Sequence, residues 1–112
     1  GIMSTPREMA KFGQLVLDSG MWKGNEIVSK NWIKEMTMVR VEDMYSFQFC
    51  YLWWKDESRK MIYMHGHGGQ YVCIIPDKKL VVAMTAEVNT QDDFQLGKEA
   101  FEWVDKIVEI CN

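Results

Sequence analysis

The sequence predicts an α+β domain in which helices cover an antiparallel sheet of three to four strands. Three observations predict it. Apolar residues recur at helical spacing behind a capping signal near the start. From Phe47 that period is lost, and aromatic and β-branched residues take over. The helical period then returns from Phe94 to Cys111. Strands grouped in the middle, with two helices before and a long one after, argue for layers of helix against sheet.

The first helix begins at Thr5-Pro6-Arg7-Glu8, a capping box with proline at the first helical position. Met9, Phe12, Leu15 and Val16 supply its apolar stripe, and Gly20 is placed to end it. Gly13 lies inside this helix and weakens it by up to about 1 kcal/mol relative to alanine, so another element should pack closely there. Lys23-Gly24-Asn25 is turn chemistry, and Ile27-Val28 is too short for more than an extended bridge. Ser29 caps a second, shorter helix with Trp32, Ile33 and Met36 as its apolar face. Residues 40–46 mix charges with isolated apolar side chains and read as a connecting loop.

The stretch from Phe47 to Trp54 reads as one strand, apolar on both faces, which admits a three-layer arrangement. Lys55 to Lys60 is a charged turn, and Met61 to His65 is the return strand. Gln70 to Ile75 and Leu80 to Thr85 form a hairpin about Pro76-Asp77-Lys78-Lys79. Thr90 with Asp93 three residues on resembles a further capping signal. Phe94, Phe101, Val104, Val108 and Cys111 then mark a long amphipathic helix.

With 112 residues, residues 1–112 are expected to form a single domain with a modest core. A 47% hydrophobic share excludes a disordered chain, and a net charge of −3 without a basic stripe argues against nucleic acid as a partner. No apolar run approaches the roughly 20 residues of a membrane span. Cys50, Cys73 and Cys111 are odd in number, widely spaced and each in an apolar run, which suits buried free thiols.

One stretch looks built for chemistry: Met64-His65-Gly66-His67-Gly68-Gly69-Gln70-Tyr71. Glycine gives a strand no side chain to pack, so three within four positions imply close approach of something to the main chain. His65 and His67 have metal-ligand spacing, but a site needs a third ligand and only Cys73 or the charged turn offers one, so no metal or other cofactor is expected. The glycines lack the Lys-Ser/Thr of a phosphate-binding loop and lead into a strand. A tight bulge flanked by two surface histidines is the plain structural alternative.

Four separated segments carry a resemblance. Thr5-Pro6-Arg7-Glu8-Met9-Ala10-Lys11-Phe12-Gly13, Tyr51-Leu52-Trp53-Trp54, Gly66-His67-Gly68-Gly69-Gln70-Tyr71 and Ile75-Pro76-Asp77 together resemble the C-terminal third of the serine β-lactamase-like hydrolases. That superfamily includes class C β-lactamases, penicillin-binding-protein-related esterases and 6-aminohexanoate-dimer hydrolases. The resemblance implies a partial β-lactamase/transpeptidase-like fold, and a chain that is the C-terminal fragment of a longer hydrolase acting in the periplasm or otherwise outside the cytoplasm. In that family a Ser in S-x-x-K, a Tyr in Y-x-N and a Lys-Thr-Gly-like triplet meet at one cleft. His67-Gly68-Gly69 stands for the triplet, with the backbone N–H of Gln70 as oxyanion donor and with His65 and Tyr71 as substrate-binding candidates. His in place of Lys removes a fixed positive charge, which tilts the expected substrate towards esters, amides or peptides.

The chain also departs from the pattern. None of Ser4, Ser19, Ser29, Ser46 and Ser58 has Lys three residues on, and no tyrosine has Asn two residues on. Acyl transfer by the family's route is therefore expected only in a longer parent. The alternative is a catalytically inactive binding or interaction module on the same scaffold. A fragment would leave apolar surface open, and self-association through Trp53, Trp54 or the last helix is the expectation.

Overall fold

The computed structural model describes residues 5–38, 41–42, 48–49, 53–66, 70–85 and 93–111. Its elements are α1 (Pro6–Leu17), β1 (Met21–Trp22), β2 (Asn25–Glu26), α2 (Lys30–Met36), β3 (Val41–Glu42), β4 (Gln48–Phe49), β5 (Trp54–Asp56), β6 (Met61–Gly66), β7 (Gln70–Ile75), β8 (Leu80–Met84) and α3 (Asp93–Cys111). The α+β class expected from the sequence is the one observed.

Both helix starts read from the sequence are present as hydrogen bonds. The N–H of Glu8 donates to Thr5 Oγ1 at 3.2 Å, and the N–H of Thr5 donates back to Glu8 Oε2 at 3.3 Å. The N–H of Trp32 donates to Ser29 Oγ at 3.1 Å. Each bond satisfies a backbone group that the first helical turn leaves without a partner. After α1 the chain folds into the β1–β2 hairpin through Lys23 (φ 51°) and Gly24 (φ 81°). Two left-handed central residues give the turn whose twist matches that of paired strands.

The main sheet is antiparallel throughout, in the order β3-β4-β5-β6-β7-β8. Among the described residues it has six strands, more than the three to four expected. Val41–Glu42, within the stretch read as a loop, pairs with Gln48–Phe49. The run read as one strand from Phe47 to Trp54 is two, because β4 and β5 pair with each other, Phe49 opposite Trp54. Two-residue bridges carry no periodicity, so composition alone does not show them. The hairpin turn after β7 is a 3-10 turn over Pro76–Lys78, closed by Lys79 in the left-handed region.

The sheet is covered on both faces, which gives three layers. Met61, Tyr63, Tyr71, Cys73, Ile75 and Val82 pack against Ala100 and Val104 of α3. Val16 of α1, Ile33 of α2, Trp53 and Ile74 form the core of the other face, with Ile62, Met64 and Val81 against them. Tyr71 and Cys73 therefore alternate with Val72 and Ile74 across the sheet, as the pleat requires. Gly13 lies over β7 and β8. A Cβ there would come within 2.6 Å of Val81 Cγ1 and 3.0 Å of Val72 Cγ1, which is the close packing its place in the helix implied.

Several side chains sit elsewhere than the sequence suggested. Trp53 is completely buried, so it contributes to no contact surface. Trp32 is exposed, leaving Ile33 as the buried residue of α2. Cys111 is exposed, whereas Cys73 is buried, and Cys50 lies outside the described residues. At the carboxyl end of α3 the partly buried stripe ends at Val108, and beyond it both Ile110 and Cys111 face solvent.

Candidate functional site

The glycine-rich stretch falls where β6 gives way to β7. Those strands pair without interruption from Ile62 opposite Ile74 to His65 opposite Tyr71 and Gly66 opposite Gln70. Of the six residues singled out by sequence, His65, Gln70 and Tyr71 are described; His67, Gly68 and Gly69 lie outside the described residues.

His65 and Tyr71 are cross-strand partners on the α3 side, and their rings stack at 5.5 Å between centroids and 19° between planes. The Trp54 ring lies 6.0 Å from that of His65, and the Tyr63 ring 6.1 Å. Phe101 of α3 meets Tyr63 and Tyr71 edge-on at 5.0 and 5.6 Å. Tyr71 is thus buried beneath α3, while His65 is exposed. The pair is a graded aromatic wall: Tyr71 is anchored in the core, and its stack presents the imidazole to solvent.

Gly66 and Gln70 project to the opposite side of the sheet, because successive residues of a strand alternate. A Cβ on Gly66 would stand 3.1 Å from Gln70 Oε1, so the missing side chain is what lets the Gln70 carboxamide lie across the strand end. Gln70 itself is exposed. The hairpin end therefore carries two different surfaces, imidazole and aromatic on one side, carboxamide and bare backbone on the other.

Sequence reasoning did not single out Trp54 as a neighbour of His65. The link depends on Trp54 pairing with Tyr63 in the sheet register, which no local pattern announces. It also read Lys55 to Lys60 only as a charged turn, where the structure shows a connected network. Arg59 donates from Nε and Nη2 to the two carboxylate oxygens of Asp105 at 2.8 and 3.0 Å, and from Nη1 to Asp56 Oδ2 at 2.7 Å. Ser58 Oγ and the Arg59 N–H both donate to Asp56 Oδ1, at 2.7 and 3.2 Å. The Asp56-x-x-Arg59 spacing is the available signal for half of this. Burial alone would raise the Asp56 carboxyl, but the bonds from Ser58 and Arg59 outweigh it and hold it below its ordinary value. The hydrogen bonds to Asp105 and Asp56 raise Arg59 against its own desolvation. The guanidinium also lies over the Phe101 ring at 5.1 Å, so the network fastens the β5–β6 turn to α3.

Cys73, the third ligand that a metal at His65 would have needed, is completely buried in the α3-side core. Burial pushes its thiol up to about 12, so it is neutral over the physiological range. Among the described residues no three of His, Cys, Asp and Glu come together to hold a metal ion. Among the same residues no helix is long and apolar enough to cross a membrane.

No protein-family model matches the sequence, and neither does any curated protein. The fold is matched by a solved structure titled "Putative 6-aminohexanoate-dimer hydrolase from Bacillus anthracis", with a TM-score of 0.73 and 23% identity. The match covers 95% of this chain and 29% of that chain, so this chain spans under a third of its neighbour's length. At this identity the match shows that the chain shares the fold of the corresponding part of that structure.

Proposed function

We propose that this chain is the C-terminal part of an extracytoplasmic β-lactamase-like serine hydrolase that cleaves esters, amides or peptides through an acyl-enzyme. The observation that carries the reading is the fold match over 95% of the chain to under a third of a longer hydrolase. The glycine-ended β6–β7 hairpin, which has the residue order of the family's third motif, supports it.

On this reading the nucleophilic Ser and its Lys base come from the rest of the parent. The Ser oxygen attacks the substrate carbonyl carbon, its proton passes to the base, and the alcohol or amine leaves; water then cleaves the acyl-enzyme. This chain's part is electrostatic and steric. The backbone N–H of Gln70 donates to the carbonyl oxygen as negative charge develops there, and Gly68 and Gly69 let the substrate lie against the main chain. His67 would serve there as the first residue of the triplet, and the His65–Tyr71 stack is the aromatic surface offered to the substrate.

The second reading is an inactive binding module, and the absence of S-x-x-K and Y-x-N within these 112 residues favours it. The two separate in the source cells. Antibody raised against this chain should capture a polypeptide longer than 112 residues that an active-site-directed fluorophosphonate labels. Capture of a 112-residue product that takes no label would sink the hydrolase reading in favour of the module.

A further inference from the structure

We propose that Arg59 is a positioning residue for the aromatic surface at His65, acting through Phe101 and Tyr71. The proposal rests on the hydrolytic reading only where it speaks of substrate; the coupling of Arg59 to the His65–Tyr71 stack concerns this chain's own packing. Arg59 lies in the turn that leads into β6, at the opposite end of that strand from His65 and Gly66. Its influence on the site must therefore pass through other side chains.

Phe101 is the link. It stands one helical turn before Asp105 on α3, so its ring and that carboxylate occupy the same face of the helix. One guanidinium meets both. Its Nε and Nη2 donate to Asp105 at 2.8 and 3.0 Å, while Cζ stands 5.1 Å from the centre of the Phe101 ring. A third bond, from Nη1 to Asp56 Oδ2 at 2.7 Å, ties the same plane to the turn. Charge-assisted bonds to two carboxylates on two elements hold the guanidinium plane against turning away from the ring.

The other ring contacts of Phe101 lead to the site. Phe101 meets Tyr63 at 80° and Tyr71 at 70°, edge-on to both. The Tyr63 and Tyr71 rings lie 6.4 Å apart, and they stand 6.1 and 5.5 Å from that of His65. Phe101 is half-buried, so a ring stripped of its guanidinium cover is free to rock towards solvent. Rocking breaks the edge-to-face geometry with both tyrosines. The buried Tyr71 then shifts into the space released, because a close-packed interior transmits such displacements, and the 19° stack with His65 opens. His65 itself is exposed, so its imidazole takes its orientation from the rings beside it.

A plain fastening of the turn to α3 needs only charge. Lysine at position 59 keeps a positive charge near Asp56 and Asp105, but it lacks the planar fork that spans two carboxylates and covers a ring. Fastening and positioning thus separate by substitution.

The His65 imidazole proton signals, followed by NMR in this chain, read the stack directly, because the nearly parallel Tyr71 ring shields them. Arg59→Gln should move these signals towards their unfolded positions while the far-ultraviolet circular dichroism is kept. Arg59→Lys should move them in the same direction, and Asp105→Asn by a smaller amount. Lys55→Gln, which removes a charge paired with Glu57 at 3.4 Å in the same turn, should leave them in place. In the intact hydrolase Arg59→Lys should raise KM about 3- to 10-fold with kcat within about twofold, the pattern of lost binding that ground and transition states share. The proposal is overturned by unmoved His65 signals in Arg59→Gln, by lysine restoring the parent signals, or by an unchanged KM. A parent without hydrolytic activity sinks the function proposed above, and the His65 signals still decide whether Arg59 sets the stack. If Arg59→Gln fails to fold, Asp105→Asn decides, since that side chain is 53% exposed, and His65 signals at the parent positions then overturn the proposal.

Discussion

Gly13 and Val81 approach so closely that no side chain fits between them: a Cβ on Gly13 would lie 2.6 Å from Val81 Cγ1. Gly13→Ala gains up to about 1 kcal/mol of helix propensity but forces α1 away from β7 and β8 at a cost of roughly 1–3 kcal/mol. The expected outcome is net destabilisation, read as a lower denaturant midpoint. A stabilised variant would show that α1 does not press on the sheet.

The Asp56 carboxyl is held below its ordinary value of 3.8 when folded. A depressed acid contributes stability above its unfolded value, and that contribution is lost as pH falls through the folded one. Asp56→Asn should therefore destabilise at neutral pH by about 1 kcal/mol, the usual scale for such bonds. The gap from the parent should close at pH values below 3.8. Urea melts of both proteins at neutral and strongly acidic pH test this, and a gap that persists in acid would assign the effect to packing.

Cys73 and Cys111 should differ sharply in reactivity. The buried Cys73 thiol is pushed up to about 12, so folded protein at pH 8 should take iodoacetamide at Cys111 and not at Cys73, as mapped by peptide mass spectrometry. There is also a stability consequence. Above the ordinary thiol value of 9.0 the unfolded chain releases a proton that the folded one keeps, so stability should fall with rising pH by up to about 1.4 kcal/mol per unit. Prompt labelling of Cys73 in the native state would mean that the α3 layer opens readily.

In the intact hydrolase proposed above, His67→Ala should lower kcat/KM by about 10- to 1000-fold, the scale of lost electrostatic help in such sites. The melting temperature should barely move. Steady-state kinetics paired with a thermal melt separates the roles: unchanged kinetics would leave the glycines as turn chemistry, and a large fall in melting temperature would make His67 structural.

Tyr71→Ala should behave in the opposite way to His67→Ala. Its ring is anchored against His65 and Phe101, so truncation opens the α3-side core at a cost of about 3–5 kcal/mol, the range for a buried aromatic. The check is a denaturant melt, and a near-neutral result would show that the stack contributes little to the core.

What the sequence determined by itself is what short-range chemistry controls. The Thr5–Glu8 and Ser29 caps, the turns at Lys23-Gly24 and Pro76–Lys79, and the alternation of Tyr71 and Cys73 with Val72 and Ile74 each depend on residues a few positions apart. Hydrogen bonds across one helical turn, left-handed backbone at a turn and the two-residue pleat need no distant partner. The glycine-rich stretch also stands out on local grounds, and of it the structure describes His65, Gly66, Gln70 and Tyr71 but not residues 67–69.

Only the tertiary structure decided which layer covers which face and what each side chain meets there. The run from Phe47 to Trp54 is divided because β4 turns back to pair with β5, and Trp53 is buried because α1 and α2 close over it. Arg59 finds Asp105 across 46 residues, and Trp54 comes to lie beside His65 through the β5–β6 register. Cys111 has the helical spacing of a core residue but lies on the last turn of α3, where it is exposed. Periodicity states which side of an element is apolar, whereas burial depends on how far the opposing layer extends, and that extent is set by the packing of the whole chain.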